Sequence, residues 1–183
     1  VRCEREKENL FIHSIQFSIN DEKTEKYEID TNTDIIPVNV VINLGESLYD
    51  YLTPEITWSI VGESYGSTVN ENGEITLAKF IGKITLKVVV KGKNELSMEL
   101  PITVKLPENA SLEDISATVN DGFVQEYIEG ESFNGSSIKL WGELEGESIQ
   151  ITEFTYDGNA LTPNVTDVKV YYGDLVTEVP VIV

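Results

Sequence analysis

The stretch from Ile56 to Val90 constrains the fold of this chain most, because its apolar residues recur at every second position around one tryptophan. Ile56, Trp58 and Ile60 form one such row, and a side-chain period of two sends all three to the same face of a β-strand. The pair Asn72-Gly73 follows, and this pair readily adopts the positive φ angles of a tight hairpin. The stretch closes with a longer apolar row: Ile84, Leu86, Val88 and Val90. These patterns predict consecutive short strands that bury Trp58 in the core of a β-sandwich.

The same alternation continues on both sides of this stretch. It occurs in four other rows, which are Phe11, Ile15, Phe17 and Ile19; Ile36, Val38, Val40, Ile42 and Leu44; Leu96, Met98, Leu100, Ile102 and Val104; and Ile138, Leu140 and Leu144. Pro37 interrupts the second row and predicts an edge strand or a bulge there, because proline cannot donate to a sheet ladder. His13, at the open end of the first row, has no neighbouring ligand or nucleophile and is expected to be a rim residue. The predicted fold class is all-β.

The order of elements in the first half resembles the second group of bacterial immunoglobulin-like domains. The matching segments are Trp58-Ser59, the hairpin from Val69 to Ile75, and the strand from Gly82 to Leu86. Phe80-Ile81-Gly82-Lys83 departs from the small residues that are usual around that glycine. The resemblance implies an immunoglobulin-like sandwich of a kind that serves mostly as a spacer or an adhesive module.

The second half resembles the third group of bacterial immunoglobulin-like domains. The segment from Tyr127 to Phe133 contains the Tyr-x-x-Gly-Glu-x-Phe signature of that group, and strands follow from Ile149 to Tyr156 and from Val168 to Val183. Together the two resemblances imply two tandem immunoglobulin-like Greek-key β-sandwiches. A chain of 183 residues has room for both, since such domains need about 100 residues or slightly fewer.

The domain boundaries are expected where the alternation stops. Residues 1–9 are charged and aperiodic, which is typical of a lead-in segment. The second-group-like domain is predicted for residues 10–106 and the third-group-like domain for residues 112–183. Residues 107–111 between them are short, polar and proline-bearing, as a linker should be.

The charge of the chain excludes one class of partner. With 32 acidic and 13 basic residues the net charge is -19, so the surface repels phosphate backbones, and nucleic acid is not an expected partner. Two interpretations of the acidity remain: it keeps the protein soluble, or it attracts Ca²⁺ or basic partner surfaces.

The single cysteine, Cys3, cannot form a disulfide within the chain. Two interpretations are open, a lipid-bearing residue of a bacterial lipoprotein and an ordinary thiol. The ordinary thiol is favoured, because Val1-Arg2 does not fit the small residues that precede a lipoprotein cysteine. No stretch approaches the roughly 20 continuous apolar residues of a membrane span, so membrane insertion is not expected.

Asp30, Asn32 and Asp34 form the one candidate metal site. They offer oxygen ligands at positions one, three and five, the spacing with which a calcium loop of the EF-hand kind begins. Position six is Ile35, where glycine is needed, and position twelve is Val41, where a bidentate glutamate is needed. A polar β-turn is therefore the favoured interpretation, and no metal or other cofactor is expected to be required.

Tyr49, Tyr51 and Tyr65 are the candidate ligand-binding residues. All three lie in predicted connecting segments, and exposed tyrosines can stack on sugar rings. Loop aromatics in sandwiches more often cap the open end of the core, and capping is the favoured interpretation for the first two. Tyr65, between Gly62 and Gly66, is the better candidate for exposure.

Sequence motifs for catalysis are missing. The chain has no Gly-rich phosphate loop, no His-x-x-x-His, no cysteine pair and no Gly-x-Ser-x-Gly. It is therefore predicted not to be an enzyme. The leading hypothesis is a non-catalytic, monomeric segment of a bacterial cell-surface or secreted protein that acts as a spacer or presentation module. The alternative is an adhesion module that binds a glycan or a host protein directly through loop aromatics.

Overall fold

The structure is a computed structural model that describes residues 11–44 and 53–183. Regular structure in these residues consists of β-strands and one 3₁₀ turn, Gly135–Ser137, so the prediction of an all-β fold is confirmed. The chain divides into two compact units. Unit 1 takes the described residues up to Ala78 together with Lys83–Lys105, and unit 2 takes Lys79–Gly82 together with Leu106–Val183. The domain boundaries drawn from the sequence stay a prediction.

Ten strands form in the described residues up to Lys105. They are β1 (Ser14–Ile19), β2 (Glu22–Lys23), β3 (Tyr27–Asp30), β4 (Ile35–Pro37), β5 (Asn39–Asn43), β6 (Glu55–Val61), β7 (Thr68–Val69), β8 (Glu74–Thr76), β9 (Phe80–Lys91) and β10 (Glu95–Lys105).

These strands make three sheets in unit 1. β1 pairs with β2 and β5, and β8 pairs with β4 and β7, all antiparallel. The largest sheet has the order β6-β9-β10-β3, in which β3 runs parallel to β10. β4 is an edge strand and contains Pro37, so the edge position expected for this proline is confirmed.

The apolar row of β9 is buried in unit 1 as predicted, and so is the second half of the β10 row, whereas Leu96 and Met98 at its start are half-buried. Their fully buried members are Ile84, Leu86, Val88, Val90, Leu100, Ile102 and Val104. Phe17 of β1 is also buried, and its ring centroid lies 6.2 Å from that of Trp58 in β6. Since β1 and β6 belong to different sheets, this contact shows that the two sheets pack face to face.

Three residues are placed differently from the prediction. Ile56 is 38% exposed and Trp58 is half-buried. Both lie in β6, which is an edge strand that pairs with β9 alone in the described residues. Phe11 is 51% exposed beside His13, whereas Ile12 is buried. Asn94 fixes Ile12 ahead of β1: its Nδ2 donates to the Ile12 carbonyl at 2.8 Å, and its Oδ1 accepts from Ile12 N at 2.7 Å. This bridge turns Ile12 inward.

Unit 2 contains six further strands and two sheets. The strands are β11 (Ile115–Val119), β12 (Ile138–Leu144), β13 (Glu147–Ile151), β14 (Thr155–Tyr156), β15 (Asp167–Tyr172) and β16 (Leu175–Pro180). β11, β12 and β13 form one antiparallel sheet, and Phe80 and Ile81 add to it by pairing in parallel with Gln150 and Ile151. β14, β15 and β16 form the other sheet.

Both sheets of unit 2 contribute to one core. Leu140 of β12 and Ile149 of β13 meet Val170 of β15 and Val179 of β16 in the same buried cluster, which also holds Phe133. Unit 2 is therefore a β-sandwich with its own core. Each sheet has one face buried in the core. The side chains on the other, exposed face are the ones that a ligand could contact.

Candidate functional site

The Asp30 segment forms a tight polar turn at the end of β3. Asp30 Oδ1 accepts the backbone N–H of Asn32 at 2.9 Å, and the Asp30 carbonyl accepts that of Thr33 at 3.1 Å. Asp34 is exposed beyond the turn. Within the two described ranges, no three His, Cys, Asp or Glu side chains come together as ligands of one metal ion. The expectation that no metal is required stays a prediction.

Of the three candidate tyrosines, only Tyr65 lies in the described residues. It is half-buried in the loop between β6 and β7, with a left-handed backbone at φ 52°. Ser67, two residues further on, is buried, and its Oγ accepts the backbone N–H of Ala78 at 3.0 Å. Tyr49, Tyr51 and Cys3 lie outside the described residues.

The Tyr-x-x-Gly-Glu-x-Phe segment of unit 2 forms a loop that bonds to itself. The carboxylate of Glu131 accepts the backbone N–H of Ile128 at 2.8 Å, and Glu131 N donates to the Ile128 carbonyl at 3.0 Å. Gly130 N donates to the carbonyl of Leu161 at 2.8 Å, and Leu161 N donates to that of Glu131 at 2.7 Å. Because Leu161 is buried, these bonds anchor the loop to the core.

Aromatic rings complete this motif. Phe133 is 3% exposed, and its ring centroid lies 6.0 Å from that of Tyr127 and 5.2 Å from that of Tyr156. The hydroxyl of Tyr127 donates to Gln125 Oε1 at 3.1 Å and accepts from Asn134 N at 3.3 Å. The signature residues are thus engaged with one another and with the core.

Trp141 is a candidate that the apolar rows do not reveal. It lies in β12 between buried Leu140 and buried Gly142, and strand alternation therefore places its indole on the opposite, outer face of the sheet. There it pairs across the ladder with Ser116 of β11 and Gln150 of β13. The signal in the sequence is its position one residue out of phase with the apolar row of β12.

Hydrogen bonding fixes the position of the indole. Trp141 Nε1 donates to Thr118 Oγ1, two residues along β11 from its cross-strand partner, at 2.9 Å. Lys139 is exposed two residues before Trp141 and shares its face. The indole is thus held at two points, by its Cα in a central strand and by its N–H.

An open groove of about 270 Å³ runs beside Trp141. Its lining is Asp114, Ile115, Ser116, Trp141, Gly142, Glu143, Gly146 and Ser148. Glu143 is paired with Ser148 in the ladder between β12 and β13, so a carboxylate and a hydroxyl stand side by side on this face. The groove therefore combines one aromatic surface with hydroxyl and carboxylate groups. We call the outer face of β11, β12 and β13, with this groove, the Trp141 face.

Two hydrogen bonds outside the Trp141 face shift ionisation equilibria. In unit 2 the hydroxyl of Tyr171 donates to Asp157 Oδ2 at 2.7 Å, and this bond raises the pKa of the tyrosine. In unit 1 Lys105 Nζ donates to Glu28 Oε2 at 2.6 Å, and this bond with the charge of the ammonium lowers the pKa of the glutamate. The Glu28–Lys105 pair links β3 to β10, and the Tyr171–Asp157 pair links β15 to the residue that follows β14.

The described residues contain no helix of the length and apolar character needed to cross a membrane. No family model matches the chain, and no curated protein matches its sequence.

Solved structures resemble the chain at low sequence identity. Domains 5–6 of the S-layer protein SbsC are 12% identical with a TM-score of 0.33, over 95% of this chain and 99% of that one. The EC1–4 segment of Drosophila N-cadherin is 15% identical with a TM-score of 0.35, over 92% of this chain and 48% of that one. SGBP-B of a Bacteroides ovatus mixed-linkage glucan utilization locus, in complex with a mixed-linkage heptasaccharide, is 17% identical with a TM-score of 0.33, over 92% of this chain and 46% of that one. The chain spans about half the length of the last two.

Proposed function

We propose that the chain is a non-catalytic tandem immunoglobulin-like segment of a bacterial cell-surface or secreted protein, second-group-like and then third-group-like, that acts as a spacer or presentation module. The observation that carries this proposal is that the residues of both family-like motifs serve the fold. In unit 1, a Cβ at Gly73 would lie 2.7 Å from Trp58 Cζ2 and 2.4 Å from the Val38 carbonyl oxygen. The glycine of the hairpin motif is thus needed so that the chain can pass close to the tryptophan.

The signature of unit 2 supports the same proposal. Glu131 holds the turn that begins at Ile128, and Phe133 sits in the core beside Tyr127. These side chains are already hydrogen-bonded or packed within the protein, so they stabilise the loop without a ligand. A role in holding a folded module together accounts for them.

The acidity of the chain fits a module that stands among copies of itself. A net charge of -19 disfavours association between identical surfaces and keeps them soluble. This supports the expectation that the chain is a monomer.

Surface display tests the presentation role. The chain would be inserted between a short peptide epitope and a wall anchor on a Gram-positive bacterium, and capture by antibody-coated beads would report how accessible the epitope is. We expect bead capture to rise several-fold over an epitope that is fused directly to the anchor, because the folded chain separates the epitope from the wall polymers.

A Gly/Ser linker of the same number of residues is the matched control, since it behaves as a flexible coil. The folded chain should outperform this linker, and Phe17→Ala, which removes a buried ring of unit 1, should reduce the gain. Equal capture with the linker would show that folded structure is not needed, and the proposal would then be wrong.

Direct adhesion is the second candidate function. The observation that favours it is the Trp141 face, where an indole is held beside an open groove. The residues involved differ from Tyr49, Tyr51 and Tyr65, the tyrosines for which the sequence predicts ligand binding.

A further inference from the structure

The Trp141 face is organised before any ligand arrives. The indole is attached to the central strand of its sheet, and its N–H is bound to Thr118 Oγ1 at 2.9 Å. An aromatic side chain that is already fixed loses little conformational entropy when a ligand stacks on it. Trp141 is also only half-buried, so part of the ring remains open to solvent.

The groove beside the indole carries hydrogen-bonding groups suited to sugar hydroxyls. Ser116 and Ser148 contribute hydroxyls, which both donate and accept, while Asp114 and Glu143 contribute carboxylates, which accept. These four side chains flank one aromatic surface. A pyranose ring has the matching chemistry, with apolar C–H groups on its faces and hydroxyls at its rim.

The charges on this face disfavour an anionic ligand. Asp114 and Glu143 repel sulfate, phosphate and carboxylate groups, and the net charge of -19 acts in the same direction. The same charges attract cations, and Lys139, which is exposed on this face two residues from Trp141, offsets only one of them. The feature that favours a neutral sugar over a cation is the pair of serine hydroxyls beside the indole, and the pentalysine control below separates the two ligands.

We propose that the Trp141 face is a binding subsite for a neutral oligosaccharide, with one pyranose ring stacked on Trp141 and its hydroxyls bonded to the groove. The proposal rests on the second candidate function and is independent of the presentation role, since a module that presents another domain can also hold a sugar. Ser148 and Glu143 are assigned to hydrogen bonding, and Thr118 to positioning the indole.

Nuclear magnetic resonance titration of the full chain tests this site. Each unit contains one tryptophan, so the two indole N–H signals report on Trp58 and Trp141 separately, and Trp141→Phe assigns them. The probes are cellopentaose, maltopentaose and chitopentaose, with pentagalacturonic acid and pentalysine as charged controls of equal length. We expect at least one neutral probe to shift the Trp141 signal saturably while the Trp58 signal stays in place.

Variants identify the residues involved. Trp141→Ala removes the reporting signal, so its binding is measured by isothermal titration calorimetry with the same probes, and it should be abolished. Glu143→Gln or Ser148→Ala should weaken affinity by about tenfold, the effect of one lost hydrogen bond. Thr118→Val keeps the ring but frees its N–H, and it should weaken binding without removing it. Trp58→Phe is the matched control and should bind as the unaltered chain does.

Three outcomes would overturn the proposal. They are the absence of a saturable shift with all three neutral probes, sugar binding that survives Trp141→Ala, and a response to pentalysine alone, which would indicate a cationic partner. Because bead capture in the display experiment does not depend on sugar binding, failure of the subsite leaves the presentation role standing, and the reverse also holds.

Discussion

The two tryptophans of this protein are both half-buried, but they face opposite sides of their sheets. Trp58 is half-buried because it faces the core from an edge strand, where it packs on Phe17 and passes over Gly73. Trp141 is half-buried because it faces outward from a central strand, where neighbouring strands cover its flanks. The face of the sheet, rather than the exposed fraction of the ring, therefore separates the core-facing Trp58 from Trp141, for which binding is proposed.

Cross-strand partners make this difference visible. Trp58 pairs with Val88, which is fully buried, so both side chains point to the core. Trp141 pairs with Ser116 and Gln150, which are polar and lie on the outer face. If the comparison is right, substitutions around Trp58 change stability, and substitutions around Trp141 change binding.

The largest effect is expected for Phe17→Ala, because this ring is fully buried against Trp58. Its loss should lower the free energy of unfolding of unit 1 by about 3–5 kcal/mol. Urea denaturation followed by Trp58 fluorescence in a Trp141→Phe background measures unit 1 alone. Val41→Ala, at an exposed position of β5, is the control and should change the same quantity by less than about 0.5 kcal/mol.

Exchanging the two tryptophans for alanine tests the comparison directly. Trp58→Ala should cost unit 1 about 2–4 kcal/mol, somewhat less than a fully buried ring would, because part of the indole is already in water. Trp141→Ala should cost unit 2 at most about 1 kcal/mol, since one hydrogen bond and partial burial are lost. Circular dichroism during urea denaturation gives both values. Equal losses would remove the distinction drawn between the two residues.

The glycines beside the tryptophans give a matched pair. Gly73 and Gly146 have nearly the same φ, 82° and 80°, but a Cβ at Gly73 would meet Trp58, whereas a Cβ at Gly146 would meet nothing within 4 Å. Alanine therefore adds the same backbone strain at both and a steric clash only at Gly73. Gly73→Ala should lower stability by about 1–3 kcal/mol more than Gly146→Ala does. Thermal unfolding midpoints rank the two, and an equal shift would contradict the close packing at Trp58.

Acid is expected to weaken unit 1 slightly through Glu28. The bond from Lys105 lowers the pKa of this carboxyl below its ordinary 4.5 in the folded state. Its contribution to stability is therefore complete above the unfolded value and is lost as the pH falls through the folded one. Lys105→Met should remove this pH dependence of stability. Unfolding midpoints measured from about pH 2 to about pH 6 would show the difference between the two proteins. If the variant keeps the same pH dependence of stability, other carboxyls cause it.

Base is expected to weaken unit 2 slightly through Tyr171. The bond to Asp157 raises the pKa of the phenol above its ordinary 10.0. The contribution is present below the unfolded pKa and is lost as the pH rises through the folded one. Asp157→Asn should lower the pKa of Tyr171 toward its ordinary value, and ¹³Cζ signals of labelled tyrosine measure it. If Tyr171 titrates identically in both proteins, the bond is not formed in solution.

The core could be predicted from the sequence because strand alternation determines which residues share a face. The rows of β9 and β10 follow directly from this rule. The exposure of Phe11 could not be predicted, because it depends on a bridge from Asn94, which is 82 positions from Ile12. Strand alternation is visible in neighbouring residues of the sequence. A side-chain hydrogen bond between distant segments is visible only in the folded structure.

The Trp141 face could not be predicted from apolar rows, for a different reason. A search for apolar rows passes over a tryptophan that lies in the polar row, although this displacement is itself visible in the sequence. The groove also needs the pairing of Glu143 with Ser148, which depends on the register of a hairpin. Registers are set by turns, and the turn between β12 and β13 was not assigned from the sequence.

That turn affects how this face can change over evolutionary time. Glu145 and Gly146 alone connect β12 to β13, both with positive φ, and Gly146 borders the groove. Hairpin tips accept insertions at little thermodynamic cost, and added residues here would form a wall along the groove without altering either strand. The selectivity of the face can therefore diverge between descendants by insertions at one site, while the sandwich beneath it remains the same.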